Sequence, residues 1–396
     1  MSPFDLNLRH LRALAAIVAR GSMSAAAEVV SLSQPALTQG LAKLEAQTGA
    51  VLFERRADGM NPTEAGLALA ARGEAAFAHL AAAVRVGGRG FARPERLMTA
   101  TQLRAFLALA EAGSFVGAGV AAGLSQPAIH RAVRDLEQVC GVGLVDRRGR
   151  GIALSEAGRR LARGIRLASA EIAAGIVEAA PDAGGGGIAI GAMPLSRALL
   201  LPRAVALIAK ELPGARFDIS EGSWRDLVEP LRDGAIDMMI GALRDQSAPD
   251  LHQAPLLDDR LVIVGRTGHP LAGIAMPSRA ALAAYPWIVA RAGAPLRTLW
   301  QALFGDDLPP APIECGSVMV IRGILRDGDF LTLLSPDQVA LEIDSGMLTT
   351  IGPELESSGR VIGVTTRAGW RPTRAQARFL EVLRKCAGEI TNQDFE

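Results

Sequence analysis

The chain has 396 residues, 49% of them apolar, which is enough for two to four domains with full hydrophobic cores. Its net charge of +1 hides a split: residues 1–180 carry 21 Lys+Arg against 15 Asp+Glu, and residues 181–396 carry 21 against 26. An anionic partner therefore suits only the first half. Three scattered cysteines (Cys140, Cys315, Cys386) give neither metal-ligand spacing nor a disulfide framework, and the opening Met-Ser-Pro-Phe-Asp lacks the layout of a secretory signal. No apolar run reads as a membrane span, since even 198–208 is broken by Pro202 and Arg203. A cytoplasmic protein with no membrane partner is expected.

The chain says one thing twice. Residues 11–66 align with 103–158 at a constant offset of 92 without a gap, and 22 of the 56 positions are identical. The identities fall in blocks, among them Gly21-Ser22 with Gly113-Ser114, Ser33-Gln34-Pro35-Ala36 with Ser125-Gln126-Pro127-Ala128, and Glu64-Ala65-Gly66 with Glu156-Ala157-Gly158. A unit of this length occurring twice is a duplicated small domain, not a solenoid repeat.

Each copy opens with an amphipathic helix, carried by Leu11, Leu14, Ala15 and Val18 and again by Leu103, Phe106, Leu107 and Ala110. Gly21 and Gly113 stop it, and Ser22 and Ser114 cap a short alanine-rich helix. Ser33 and Ser125, each followed by Gln-Pro, start a third helix that runs to about residues 47 and 139. This is a helix-turn-helix layout, in which the start of the last helix reaches base edges in the major groove. Residues 52–56 and 144–148, each followed by a glycine-containing tip and a return strand, predict a two-stranded wing whose arginines contact phosphate or a narrow minor groove.

The two copies differ in their candidate DNA-binding residues. The first offers Ser33, Gln34, Pro35, Thr38, Gln39 and Lys43, with Arg55 and Arg56 on a wing whose tip carries Asp58. Its Gly40 sits mid-helix at a cost of about 1 kcal/mol. The second offers Ser125, Gln126, Pro127, His130, Arg131 and Arg134, with Arg147, Arg148 and Arg150 on a basic wing, and is expected to carry more phosphate affinity. Its second helix, residues 116–123, is apolar and glycine-rich, which predicts a face covered by the other winged unit or its long helix; drift toward alanine and glycine codons is the alternative. Long alanine-rich helices over 63–86 and 155–179 follow the two units, joined through 87–98.

Beyond a glycine-rich joint at 182–187, short apolar strands alternate with helices to the final strand 361–367 and helix 373–386, which predicts a largely parallel α/β sheet. Helix starts facing a crevice favour an anionic or hydroxyl-bearing ligand. Candidate effector-binding residues are Met193, Ser196, Ser223, Trp224, Arg244, Pro295 and Ser317, each serine being equally suited to capping alone.

The motif string Gly-Ser-Met/Phe, Leu-Ser-Gln-Pro-Ala-Leu/Ile, Leu-Glu, Phe-Glu-Arg and Thr/Ser-Glu-Ala-Gly resembles the winged helix of LysR-type transcriptional regulators, which ordinarily carry one such unit where this chain has two. Leu200-Leu201-Pro202, Glu221-Gly222, Leu231-Arg232-Asp233-Gly234 and His269-Pro270-Leu271-Ala272 resemble that family's effector domain. Ile240–Arg244, Pro295-Leu296-Arg297 and Ile362–Arg367 are similar to its galactose-binding-protein-regulator subgroup. The resemblance implies a multidomain chain: two all-α winged helix-turn-helix domains with long linker helices, then a two-lobed α/β periplasmic-binding-protein-like effector domain. The expected segments are winged domains 1–62 and 98–154, linkers 63–97 and 155–183, and effector domain 184–390.

It further implies double-stranded promoter DNA, RNA polymerase and a small-molecule effector (a sugar or small organic acid) as partners, in a homo-oligomer, dimer or tetramer. The linker helices pair antiparallel, either within one chain or between chains; the residues leave both open. A sensor acting through protein contacts, its winged units degenerate, is the alternative function. No phosphate-binding glycine loop, metal cluster or nucleophile–base set is visible, so neither enzyme activity nor a cofactor is expected.

Overall fold

The computed structural model describes residues 1–56, 59–84, 91–148, 151–180, 185–194, 200–245 and 248–393. The first unit contains α1 (Leu8–Arg20), α2 (Met23–Val30), α3 (Gln34–Thr48), the antiparallel hairpin β1 (Phe53–Arg56) and β2 (Gly59–Pro62), and the long helix α4 (Glu64–Val84). The second repeats it as α5 (Ala100–Ala112), α6 (Phe115–Ala122), α7 (Gln126–Cys140), hairpin β3 (Val145–Arg148) and β4 (Gly151–Leu154), and α8 (Glu156–Ala179). The repeated residues explain why the same elements form. Ser22 and Ser114 accept from the backbone N–H groups of Ala25 and Gly117, and Ser33 and Ser125 from those of Ala36 and Ala128. The carboxylates of Glu45 and Glu137 accept from the N–H groups of Leu52 and Leu144, at 2.8 and 2.9 Å, and so tie the third helix to the wing.

The two units pack on each other through α4 and α8. A Cβ built on Gly175 of α8 would lie 3.0 Å from the Cβ of Arg72 of α4, and one on Gly164 would lie 2.5 Å from the Cβ of Ala83. Low numbers on one helix meet high numbers on the other, so the pair is antiparallel. Adding 92 to Arg72 and Ala83 gives Gly164 and Gly175, so the first contact maps onto the second when the copies are exchanged: the pairing is pseudo-two-fold. The short 3₁₀ turns obey the same exchange. Pro3–Asp5 packs on α5 and α8 of the second unit, while Pro94–Arg96 packs on α4 of the first and accepts from the Arg12 guanidinium through the carbonyls of Arg96 and Glu95. One continuous core runs through both units, from Phe4 to Ala179.

Two expectations need correction here. The 21-residue α4 is long and apolar enough to cross a membrane, although no such run was expected. It forms half of the linker pair, with Leu69, Ala76 and Leu80 buried in the shared core and Arg72 buried in ion pairs. The apolar α6 face is not covered within the chain. Val116 and Val120 are 64% and 83% exposed, because α6 packs inward through Ala118 and Gly119, flanked by Phe115 and Ala122, and its valines point away from that side.

The C-terminal half has two lobes. Lobe I comprises β5 (Gly186–Ala192), α9 (Leu200–Glu211), β6 (Ala215–Glu221), α10 (Trp224–Asp233), β7 (Met238–Ala242) and β8 (Leu251–Asp259). Lobe II follows with β9 (Val262–Arg266), α11 (Arg279–Ala283), β10 (Ile288–Val289), α12 (Pro295–Phe304), β11 (Ile313–Glu314), α13 (Val318–Asp327), β12 (Thr332–Leu334), α14 (Ala340–Asp344) and β13 (Leu348–Thr350). The chain returns to lobe I with β14 (Arg360–Arg367) and α15 (Arg374–Gln393). The lobe I sheet has the order β6-β5-β7-β14-β8, and lobe II holds β12-β9-β13 and the parallel pair β10-β11.

The sheets are less parallel than expected. Among the described strands, β6-β5-β7 and β10-β11 pair in parallel; β14 runs antiparallel to both β7 and β8, and β9 antiparallel to β12 and β13. The physical reason is the double crossover. The chain leaves lobe I at the end of β8 and re-enters beside that point, with Arg360 opposite Asp259, so the last strand runs the other way. A buried Arg360–Asp259 ion pair, with the Ser335 hydroxyl donating to the same carboxylate at 2.6 Å, fixes this crossing.

Candidate DNA-reading face and effector cleft

On α3, Leu37, Leu41 and Leu44 point into the core, which leaves Ser33, Gln34, Pro35, Thr38, Gln39 and Lys43 exposed on one side. On α7, Ile129, Val133 and Leu136 do the same, and Ser125, Gln126, Pro127, Arg131 and Arg134 are exposed. Both predicted reading faces are thus brought together at helix starts. His130 differs from expectation: its ring stacks on Phe115 of α6 at 3.5 Å between centroids, so one face is already used and the side chain is only half-exposed. Arg55, Arg56, Arg147 and Arg148 fall on β1 and β3, but their side chains, like Arg150 and Asp58, lie outside the described residues.

Gly40 has a packing reason that the sequence alone did not reveal. The imidazole of His10 on α1 lies over it, and a Cβ there would come within 2.7 Å of the ring. Burial, with Lys43 nearby, holds the His10 pKa below its ordinary value, so the ring is neutral at neutral pH.

The effector domain docks on the linker pair rather than hanging from it. From α8, Arg163 donates to Asp233 at 2.6 Å and Glu229 at 2.5 Å, and Arg166 to Asp233 at 2.8 Å, which grips the end of α10. From α4, Arg72 is the joint: it is bidentate to Glu178, reaches Glu171 at 3.0 Å, and donates to the carbonyl of Arg371 at 2.9 Å. Burial opposes its charge, but the two carboxylates more than offset this and its pKa stands above the ordinary value.

Between the lobes opens a cleft of ≈ 720 Å³, at the carboxyl ends of the parallel strands β5, β6, β10 and β11. It is lined by Pro194 and Glu221 from lobe I and by Arg291, Cys315, Ser317 and Arg322 from lobe II. This is where an α/β fold gathers a ligand. Ser317 caps α13, accepting from the Val320 N–H, and the first residues Val318 and Met319 also line the cleft, so a helix start, whose first N–H groups lack intrahelical partners, adjoins it. Gln338 donates to the Pro194 carbonyl at 3.2 Å across the cleft, and Arg322 is held by the Gln338 carbonyl and Glu342.

Of the expected effector residues that the structure describes, Ser317 alone is among those lining this cleft. Met193 is buried against Leu227 and Leu231 in lobe I, and Ser223 is spent on a capping box with Asp226 at 2.6 Å. Trp224 is half-buried beneath the Arg244 guanidinium at 5.2 Å, so these two residues satisfy each other. Pro295 opens α12 but is not among the cleft residues, and Ser196 lies outside the described residues. Arg291 and Cys315, which line the cleft, were not among the expected residues because they lie just past strand ends and not at helix starts. The ends of β10 and β11 would have pointed to them, but those strands are two residues each and give no periodic pattern.

Comparison with known proteins agrees with this architecture. Residues 8–67 and again 100–159 match the family described as "Bacterial regulatory helix-turn-helix protein, lysR family", and residues 182–387 match "LysR substrate binding domain". The chain is 33% identical to the HTH-type transcriptional regulator GalR of Pseudomonas putida over 389 residues, covering 97% of this chain and 98% of that protein. It is 35% identical to the SDS degradation transcriptional activation protein of a Pseudomonas species, over 68% of this chain and 90% of that one. Among solved structures, ArgP from Mycobacterium tuberculosis superposes with a TM-score of 0.58 at 18% identity, covering 72% of this chain and 96% of that one. The chain therefore belongs to the LysR family of bacterial transcriptional regulators: it is not an enzyme but a DNA-binding protein whose activity answers to a small-molecule effector.

Proposed function

We propose that both winged units read promoter DNA, acting as a built-in pair within one chain, and that one effector domain controls them. The observation that carries this is the pseudo-two-fold packing of α4 on α8, which gives each unit its dyad partner without a second chain. The lengths of the relatives support it. The GalR relative aligns along its whole length with this chain, whereas the SDS regulator is nearly exhausted after 68% of it, as a protein with one winged unit would be. Gln34, Thr38, Gln39 and Lys43 on α3, and Gln126, Arg131 and Arg134 on α7, are the base readers, with Ser33, Pro35, Ser125 and Pro127 shaping the helix starts. The wing arginines 55, 56, 147, 148 and 150 supply phosphate contacts.

The effector sits between the lobes against Arg291, Ser317 and the start of α13, a set that suits a small organic acid or a hydroxyl-bearing sugar. Its arrival changes the angle between lobes, and the docking of lobe I on both linker helices transmits this to the two heads. Contact with RNA polymerase at a promoter in the cytoplasm completes the proposed role. A gel shift on the native promoter tests the DNA assignment. Arg131→Ala is expected to weaken retention by roughly five- to 150-fold, and unchanged retention would return the reading to a sensor that works through protein contacts.

A further inference from the structure

Resting on the reading that both units bind DNA, we propose that a single chain recognises an asymmetric operator. It would consist of two unlike half-sites about one helical turn apart, a G-containing half under α7 and an A/T-richer half under α3.

The duplication kept some positions of the third helix and changed others. At the large buried aliphatic positions of the two third helices the copies agree in kind: Leu37 with Ile129, Leu41 with Val133, Leu44 with Leu136. At the outward positions beyond the shared Ser-Gln-Pro start, none agrees: Thr38 faces DNA where the other copy has His130, Gln39 where it has Arg131, Ala42 where it has Arg134, and Lys43 where it has Asp135. The large core residues and the Ser-Gln-Pro start were retained, and the reading surface beyond that start was replaced.

The chemistry of the two surfaces points to different bases. Arginine makes bidentate hydrogen bonds to the O6 and N7 of guanine, and glutamine to the N6 and N7 of adenine. On α7 the exposed cations Arg131 and Arg134 stand one helical step apart along the outward face, while His130 is held on Phe115. On α3 the Thr38 hydroxyl donates back to the Gln34 carbonyl at 3.1 Å, which leaves its methyl group for thymine beside Gln39.

Symmetry supplies the remaining step. In an ordinary two-fold dimer the head opposite a given head is its own copy, so the site is an inverted repeat. Here α8 occupies the place of the partner linker helix of α4, and the reciprocal seats of Pro3–Asp5 and Pro94–Arg96 close the pair. The head opposite α3 is α7. A single effector domain, docked on both linker helices, then gives the bound chain a direction along the promoter.

The experiment is selection of duplexes by the full-length chain from a library randomised over about 20 bp, enough for two half-sites one turn apart and too short for four. The expected result is a motif with two different halves. In repeats of the selection, Arg131→Ala relaxes base preference by roughly five- to 150-fold in one half only, and Gln39→Ala in the other half only. A palindromic motif would overturn the inference, as would either variant relaxing both halves equally. Selection of no sequence at all would remove the DNA-reading assignment beneath it.

Discussion

At the scale of single residues, the identities between the copies are largely scaffold. Glu64-Ala65-Gly66 and Glu156-Ala157-Gly158 look like functional signatures, yet their glycines serve a close approach. A Cβ on Gly66 would come within 2.1 Å of the Leu52 carbonyl oxygen, and one on Gly158 within 2.0 Å of that of Leu144. Because the obstructing atom is backbone, it cannot swing aside. Gly158→Ala is expected to cost roughly 1–3 kcal/mol in thermal denaturation, with the wing displaced from the start of α8. Gly143→Ala, where the added Cβ meets nothing within 4 Å, should stay within about 0.5 kcal/mol of wild type. Caps of this kind were legible in the sequence because serine, proline and glycine carry their local geometry with them. The match of His10 with Gly40 was not, since it depends on two helices meeting and the second copy replaces both residues, with Gln102 and Ala132.

At the scale of elements, the linker helices show what periodicity reveals and what it hides. Two long alanine-rich helices were plain from composition, but their pairing rests on small residues at matched positions, and small residues give no signal until a partner is known. The charged residues on these helices have the same character. Arg72 looks like a break in an apolar stretch; in the fold it joins α4, α8 and lobe I at once, with its side chain 6% exposed and those of Glu171 and Glu178 13% and 17%. Removing one partner from a buried pair strands the other charges, so Arg72→Met is expected to lower stability by about 3–5 kcal/mol, read from the urea midpoint. Adding Glu171→Gln and Glu178→Gln should recover much of that loss, since the stranded carboxylates cause most of it. Recovery would also separate charge burial from simple loss of packing. The effector cleft was harder to see for a related reason: its strands β10 and β11 are too short to pattern, and its residues come from five separate segments.

At the scale of the whole molecule, the question left open by the sequence was whether the linker helices pair within a chain or between chains. Each choice exposes a different surface. If α4 required a second chain, residues 1–180 alone would bury Leu69, Ala76 and Leu80 only on dimerisation. In the fold these residues belong to one core that runs from Phe4 to Ala179 and includes Ile165, Ala168 and Ile172 of α8. Among the described residues that core draws on none of the effector domain, so the fragment has what it needs to fold by itself, less the docking contacts at Arg72 and Arg163. Light scattering of residues 1–180 is therefore expected to give the mass of one chain at micromolar concentration, with a single cooperative thermal transition. A concentration-dependent dimer would mean that the linker helices exchange partners between chains, and with that the two unlike reading helices would no longer be obligate neighbours on DNA. The oligomers formed by the family's regulators would then arise here from linker pairing. With a monomeric fragment, they must be built through the effector domain, each chain arriving with both heads already in place.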